Sequence, residues 1–414
     1  MPSQRLFTRD FSFLIFGQIS SLFGNYTLKF ALSMYILEKT GSASAFATIL
    51  AVAMLPTILL SPLGGILADR ANRRSIMVVL DVLSGLTVLF AGLALPLGHE
   101  MLVVGILLVV LSVLSAFESP TVQACIPQML SNDNLTKGNA VVNQVQAIAA
   151  LVTPFLGSLI YVAFGLAPVL WGTVVCFFLT TLLECRIRIE CHRPTRAVGA
   201  CAVIREDFSV SLRFLRQKQP VILKLLLLAA LANLFVSGTV VVGFPYLVRT
   251  VLGLSSELYG AAESAMGVAA VLGSLFVGVV GQKLPLRRLA LAFAGLGACL
   301  LPAGFAFWAS FPPFKIYLIL LAAFCCCQFA GSVFSAYAIS IIQARTPEKL
   351  MGKIMSLVFT LALCAQPLGQ VVYGALFDRL ASNPAFVLLP SGLVVCAIGA
   401  LSHPFFSSME RRDG

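Results

Sequence analysis

The chain has 414 residues, of which 59% are hydrophobic and only 11% charged. Soluble domains carry about 25% charged residues, so this composition excludes an ordinary soluble fold and predicts a membrane protein. The formal net charge of +11 then belongs to loops that contact anionic lipid, and nucleic-acid binding is a poor explanation of it.

Twelve apolar segments follow one another along the chain. Each has about 20 or more residues with few charges, which is long enough to cross a bilayer as a helix. No period of two runs through them, which excludes a transmembrane barrel. We predict an all-α membrane protein with twelve transmembrane helices in two six-helix pseudo-symmetric bundles, spanning residues 11–37, 43–68, 75–96, 101–125, 139–163, 167–187, 221–248, 257–282, 288–309, 315–342, 353–377 and 384–406.

The first segment carries a lysine, Lys29, within its apolar run. Counting back from Glu38 at about 1.5 Å per residue places Lys29 about 13 Å below the outer face of the membrane. A charge inside the bilayer costs at least about 2.5 kcal/mol and normally faces a cavity. We expect Lys29 either to neutralise a carboxylate or to attract an anionic group of a substrate.

Residues 64–74 form a charged loop between the second and third segments, with the pattern G-G-x-L-x-D-R-x-x-R-R. The pattern resembles the corresponding loop of major facilitator superfamily transporters. This resemblance implies that Asp69 docks on a helix N-terminus of the other half and latches the outward-facing state. A cytoplasmic anchor is the alternative, and Asp81, in the third segment, is expected to pair with the arginines. The latch residues are Gly64, Gly65, Asp69, Arg70, Arg73, Arg74 and Asp81.

A glutamate, Glu118, interrupts the fourth segment just before Pro120. At a depth of about 24 Å from the outer face, Glu118 is expected to contact Lys29 only if a helix bends. Glu263 of the eighth segment, at a depth of about 9 Å, is within reach of Lys29. Carboxyl groups in apolar surroundings can exchange protons near neutral pH, so Glu118 is our first proton-coupling candidate and Glu263 the second. The alternatives are helix capping beside Pro120 and snorkelling of Glu263 to the outer surface.

Residues 188–220 form the only long polar segment, and its second part has the spacing of an amphipathic helix. We predict an N-terminal six-helix bundle over residues 1–187, a cytoplasmic linker over 188–220 and a C-terminal six-helix bundle over 221–414. Weak internal repetition supports two homologous halves. Such repeats imply a substrate path at their interface and transport by alternating access.

Uncharged polar residues occur within several apolar segments. They are predicted to line a substrate cavity, although interhelical hydrogen bonding explains each of them equally well. The eleven cysteines show no C-x-x-C spacing and the three histidines lie far apart, so we predict no metal, no cofactor and no enzyme activity. The cavity residues are Gln18, Asn25, Tyr26, Gln146, Asn233, Gln328 and Gln366.

The basic residues predict the orientation of the chain. With the N-terminus in the cytoplasm, all 28 Lys and Arg residues lie on the inner side except Lys29, Lys39, Arg249, Lys315 and Arg379. The positive-inside rule therefore predicts a multi-pass protein of the plasma (inner) membrane with both termini in the cytoplasm.

Three further motifs resemble the macrolide-efflux and siderophore-exporter branch of the superfamily: Arg9-Asp10-Phe11, Leu37 to Ala43, and Ala116-Phe117-x-Ser119-Pro120. The resemblance implies export of a small amphipathic drug or metabolite, driven by protons, with a role in antibiotic resistance. Nothing in the sequence requires more than a monomer. Leu111 stands where drug antiporters often carry an arginine, so Glu118 is assigned the coupling role. The alternatives are a lysophospholipid, siderophore or tetracycline carrier, and a membrane sensor or scaffold that does not transport.

Overall fold

A computed structural model describes residues 6–130, 133–188, 215, 220–280 and 287–413. The predicted amphipathic helix in the linker lies outside these residues, apart from Leu215. The described part of the chain is almost entirely α-helical and contains no strand. The first six helices are α1 (Arg9–Thr40), α2 (Ala43–Arg70), α3 (Arg73–Ala94), α4 (Glu100–Met129), α5 (Asp133–Phe164) and α6 (Leu166–Glu184).

The described residues of the second half also contain six long helices. The first of them, α7 (Pro220–Val236), continues through two π-helical segments, Ser237–Gly243 and Leu247–Val251, which are joined by the short helical piece Phe244–Tyr246. The others are α8 (Ser256–Val280), α9 (Arg288–Trp308), α10 (Pro313–Arg345), α11 (Glu348–Arg379) and α12 (Ala385–Asp413).

Eleven helices in the described part of the chain are long and apolar enough to cross a membrane. The remaining helix, α1, has 32 residues and therefore sufficient length, but it is more polar. The predicted fold class, an all-α membrane protein with twelve helices, is confirmed.

The chain forms two compact units. The first comprises Met1–Ile36 and Val52–Ile204, and the second comprises Leu37–Ala51 and Arg205–Gly414. We call residues 37–51, the end of α1 and the start of α2, the hairpin tip. By its contacts, the hairpin tip belongs to the second unit.

In the first unit, α3 packs against both α4 and α6. The helix begins at Arg73 because the side chain of Asn72 accepts a hydrogen bond from the Ser75 amide at 3.3 Å and so caps the first turn. Buried α3 residues recur every three or four positions and form one stripe, as expected for a helix with one packed face. The stripe consists of Met77, Leu80, Asp81, Ser84, Gly85, Val88 and Ala91.

In the second unit, α9 packs along α12 and also against α10, while α7 packs against α11. Aromatic side chains fill the core, for example the edge-to-face pair of Phe293 and Phe334, whose ring centres are 5.5 Å apart.

Candidate functional site

Three carboxyl groups meet inside the first unit, one each from α3, α4 and α6. Asp81 and Glu184 are each only 1% exposed, and their side chains lie against each other. Glu118 is close enough to both to interact with them electrostatically. The hydroxyl of Ser21, on α1, donates to Glu118 Oε1 at 3.4 Å. We call Asp81, Glu118 and Glu184 the carboxyl cluster.

Helix α1 packs against the end of α6 beside Glu184. Gly17 of α1 faces it, and a Cβ atom added to Gly17 would lie 3.7 Å from Glu184 Cγ and 3.4 Å from Thr180 Cγ2. The Thr180 hydroxyl also donates to the Gly17 carbonyl at 3.1 Å. A Cβ atom at Gly17 would make ordinary van der Waals contacts, so it is the Thr180 hydrogen bond that ties α1 to the end of α6.

Glu184 was not among the residues predicted from the sequence. It stands inside the sixth apolar segment, and it is the last residue of α6. A carboxylate at a helix C-terminus faces the negative end of the helix dipole, which is an unfavourable position. An acidic residue at the end of the sixth apolar segment is thus the sequence signal that could have identified Glu184 as a candidate functional residue.

The expected pairing of Asp81 with the loop arginines does not hold for Arg73 and Arg74, whose described hydrogen bonds go to main-chain carbonyls. Arg73 donates from Nε to the Ala68 oxygen at 2.8 Å and from Nη1 to the Ala124 oxygen at 2.7 Å, and Arg74 donates to the Cys185 oxygen. Asp81 instead faces the other acids, because it lies on the buried stripe of α3.

Lys29 also differs from expectation. Its side chain is exposed and lies within electrostatic range of Glu118. The depth estimate counted only the rise of the backbone, whereas both side chains are long enough to shorten the distance between their charges. The two charges therefore lie closer together than the backbone depths alone predict.

The latch loop is only partly described. Gly64 packs against α4, where a Cβ atom on it would lie 2.3 Å from the Ala116 oxygen, whereas nothing lies within 4 Å of the same position on Gly65. The Ala116 carbonyl lacks its usual helical partner because Pro120, four residues later, has no N–H group. Asp69 and Arg70 belong to α2, but their side chains lie outside the described part of the structure.

The second unit contains a cavity of about 230 Å³ between α7, α10 and α11. Two of the predicted cavity residues, Asn233 and Gln328, line it. A third, Gln366, donates from Nε2 to Asn233 Oδ1 at 3.2 Å. Apart from these amides and the hydroxyls of Ser332 and Ser335, the lining is apolar.

The first unit contains a cavity of about 210 Å³ between α1 and α5 with a lining that is apolar except for Thr153. The four predicted cavity residues of this unit are not among its lining residues. Gln18 is 4% exposed, and its Nε2 atom has no hydrogen-bond partner in the described structure, nor has Asn25 Oδ1. Tyr26 and Gln146 are half-buried.

The second proton-coupling candidate, Glu263, lies in α8. Tyr259, one turn earlier, hydrogen-bonds to its carboxyl group, and Glu263 Oε2 has no partner among the described residues. The two candidates therefore have different surroundings, because Glu118 belongs to a carboxyl cluster and Glu263 is described with a single tyrosine neighbour.

The chain is similar to known transporters over nearly its whole length. The sequence profile of the Major Facilitator Superfamily matches residues 14–369. The macrolide efflux protein A of Streptococcus pyogenes is 25% identical over 406 residues, which cover 96% of each chain. The multidrug efflux pump Tap of Mycolicibacterium fortuitum is 26% identical over 409 residues, again 96% of each chain. The predicted family and the resemblance to macrolide-efflux proteins are confirmed.

Two solved structures share the fold. A bacterial homologue of the iron transporter ferroportin, in an inward-facing state, has a TM-score of 0.73 at 16% identity and covers 95% of this chain and 98% of its own. A variant of the nucleoside transporter NupG has a TM-score of 0.75 at 10% identity, and the match covers 97% of this chain and 100% of the NupG chain. At these identities the likeness concerns the fold alone.

Proposed function

The chain belongs to the Major Facilitator Superfamily of membrane transporters, and we propose that it is a proton-coupled exporter of amphipathic drugs or metabolites, macrolides among them. Two relatives that match nearly its whole length are efflux proteins, one for macrolides and one for multiple drugs. In the proposed topology both termini are cytoplasmic, as the distribution of basic residues favours.

The main structural support for the proposed proton coupling is the carboxyl cluster. Three carboxylates this close together in an apolar interior repel one another strongly, so they cannot all be ionised at once at an acceptable energy. At least one of the three therefore holds a proton, and we propose that the transport cycle exchanges it. Lys29, which is attracted to Glu118, adds one positive charge to this balance. Glu263 is the second candidate for the same role.

The substrate is proposed to bind in the cavity of the second unit. The cavity of the second unit offers amide and hydroxyl groups from Asn233, Gln328 and Ser335 in otherwise apolar surroundings. A mostly apolar pocket with a few hydrogen-bonding groups suits an amphipathic molecule. The apolar cavity of the first unit favours one runner-up, a lysophospholipid carrier, because its lining would suit an acyl chain.

The latch role of Asp69 is also a proposal. In the family that the loop resembles, the acid holds one conformation of the transport cycle. If Asp69 does the same here, Asp69→Asn should cripple export while insertion into the membrane stays intact. Normal export by this variant would remove the latch assignment.

The test is accumulation of a panel of dyes and antibiotics, macrolides included, in cells that express the chain, with and without a protonophore. We expect lower accumulation, which returns to the control level when the proton gradient is removed. Glu118→Gln should abolish the effect, whereas Glu100→Gln, the same change at the start of α4, should not. Unchanged accumulation across the panel would reject drug export, and export that survives the protonophore would reject proton coupling.

A further inference from the structure

An aspartate near the end of α11 binds the start of α2. The two oxygens of Asp378 accept hydrogen bonds from Ser42 Oγ at 2.6 Å, the Ala43 amide at 2.8 Å and the Ser44 amide at 2.9 Å. Ser42 and Asp378 are 336 positions apart in the sequence. All of these groups belong to the second unit, because the hairpin tip is part of it.

The chemistry of a helix N-terminus explains why this contact is favourable. The first amides of a helix have no partner within the helix, and they carry the positive end of the helix dipole. Ser42 satisfies one of them, since its Oγ accepts from the Ala45 amide at 3.1 Å. Asp378 satisfies two more with a charged acceptor, which makes the bonds stronger than neutral ones. The cap of α2 is therefore completed by a residue of α11.

An ion pair ties the end of α1 to α7 in the same region. Glu38 Oε1 and Arg249 Nη2 are 2.6 Å apart, and Arg249 also donates to the Leu254 oxygen. Arg249 lies in the second π-helical segment of α7. The hairpin tip is thus bonded on both sides of its turn, through Glu38 before Gly41 and through Ser42 after it. Gly41 has a φ of +60°, which a glycine adopts without strain.

The backbones of α2 and α11 touch beside the hydrogen bonds. A Cβ atom on Gly374, one turn before Asp378, would lie 2.5 Å from Ala47 Cβ and 2.9 Å from the Ala43 oxygen. Ala43 and Ala47 are fully buried. Small residues on both sides allow this approach, as is common where membrane helices pack closely.

We propose that Asp378 and the start of α2 form a releasable latch at the outer ends of these helices, which opens to let substrate leave. This inference rests on the proposed function, because the proposed orientation places the hairpin tip on the outer side. The latch is suited to repeated opening because Asp378 is only half-buried. Water can replace the hydrogen bonds of a half-buried carboxylate and of the freed amides, so neither group is left unsatisfied when the helices part.

The latch also gives a role to a motif that the proposed function leaves unused. The sequence Leu37-Glu38-Lys39-Thr40-Gly41-Ser42-Ala43 contains the acid of the ion pair, the glycine of the turn and the first two donors to Asp378. Each of these residue types has a chemical reason to stand where it does.

The test is the reaction of a cysteine at position 47 with a membrane-impermeant maleimide added outside intact cells. Ala47→Cys places a small thiol beneath the latch, and mass spectrometry of its peptide measures labelling while the native cysteines stay in place. Asp378→Asn removes the charge, and we expect it to accelerate labelling at least about tenfold, the effect of losing charge-assisted hydrogen bonds. Ser42→Ala should accelerate it less, because the two main-chain donors remain.

Two controls make the result specific. Arg379→Gln changes the exposed neighbour of Asp378 and should leave the labelling rate unchanged. Leu320 is fully buried in α10 of the same unit. If only the latch opens, a cysteine introduced by Leu320→Cys should stay unlabelled in the Asp378→Asn background. Labelling at position 320 would indicate unfolding and overturn the inference. An unchanged rate at position 47 in Asp378→Asn would also overturn it.

The proposed function fails in a different way. If the thiol introduced at position 47 reacts only when the maleimide reaches the cytoplasmic side, the proposed orientation is wrong, and with it the outer position of the latch. If that thiol reacts from outside at a rate that Asp378 controls while no drug is exported, the latch stands and the proposed substrate class falls.

Discussion

The guanidinium group of Arg73 joins the end of α2 to α4, since it donates to the main-chain oxygens of both Ala68 and Ala124, at 2.8 and 2.7 Å. This double contact uses the planar fork of arginine, which presents several donors at fixed angles. One side chain at the start of α3 therefore holds the end of α2 and α4 together.

Arg73→Lys should destabilise the protein. A lysine ammonium is a single point donor and cannot reach both carbonyls with the same geometry, so at least one charge-assisted hydrogen bond, worth about 1.5–3 kcal/mol, is lost. The melting temperature in detergent measures the effect. Arg74→Lys is the matched control and should cost less, because the described hydrogen bond of Arg74 involves one carbonyl, that of Cys185. Equal melting temperatures for the two variants would contradict the role of Arg73.

The adjacent glycines of α2 should respond differently to the same change. Gly64→Ala introduces a Cβ atom 2.3 Å from the Ala116 oxygen, so α2 and α4 must move apart, at a cost of about 1–3 kcal/mol. Gly65→Ala meets no atom within 4 Å and should be neutral or stabilising by up to about 1 kcal/mol, because alanine favours the helix. The measurement is the melting temperature of the two variants. Equal melting temperatures would mean that the close approach at Gly64 does not limit the packing of α2 on α4.

Glu184→Gln should lower export and reduce its dependence on pH. A glutamine keeps the shape of the side chain but cannot bind or release the proton, and Glu184 lies against Asp81 in the carboxyl cluster. The measurement is export by cells or vesicles over a range of pH, with Glu100→Gln as the control. A pH profile that matches the parent protein would exclude Glu184 from the proton path.

The double variant Asp81→Asn/Glu184→Gln should have an export rate at least as high as that of the less active single variant. Residues in contact share their effect, so the losses should not add. Additive losses in transport rate would indicate that the two carboxyl groups act separately.

Gln328→Leu should weaken substrate binding. Gln328 lines the cavity of the second unit, where its amide is one of few hydrogen-bonding groups. We expect KM for an exported drug to rise several-fold with little change in maximal rate. This pattern is typical when the lost contact stabilises the bound substrate and the transition state equally. Gln343→Leu, the same change at an exposed position of α10, is the control. A raised KM in both variants would point to a general effect on the helix.

The polar residues within the membrane show where sequence reasoning succeeds and where it stops. The pattern of apolar runs predicts which residues form helices, and the polar groups inside those runs are visible at once, as with Glu118 and Asn233. Their partners are not visible. Asp81, for example, was expected to pair with the loop arginines, and it lies against Glu184 instead. Depth and sequence distance do not tell which face of a helix meets which neighbour.

The sequence by itself determined that this chain is a twelve-helix membrane protein of a transporter family, because the length of an apolar run and the chemistry of a charged loop are local properties. Only the tertiary structure decided that Asp81, Glu118 and Glu184 form one cluster and that Asp378 caps a helix 336 positions away. The physical reason is that contacts between helices depend on the rotation and packing of each helix. Those are set by close approaches such as Gly64 on Ala116 and Gly374 on Ala47, which involve residues far apart in the chain.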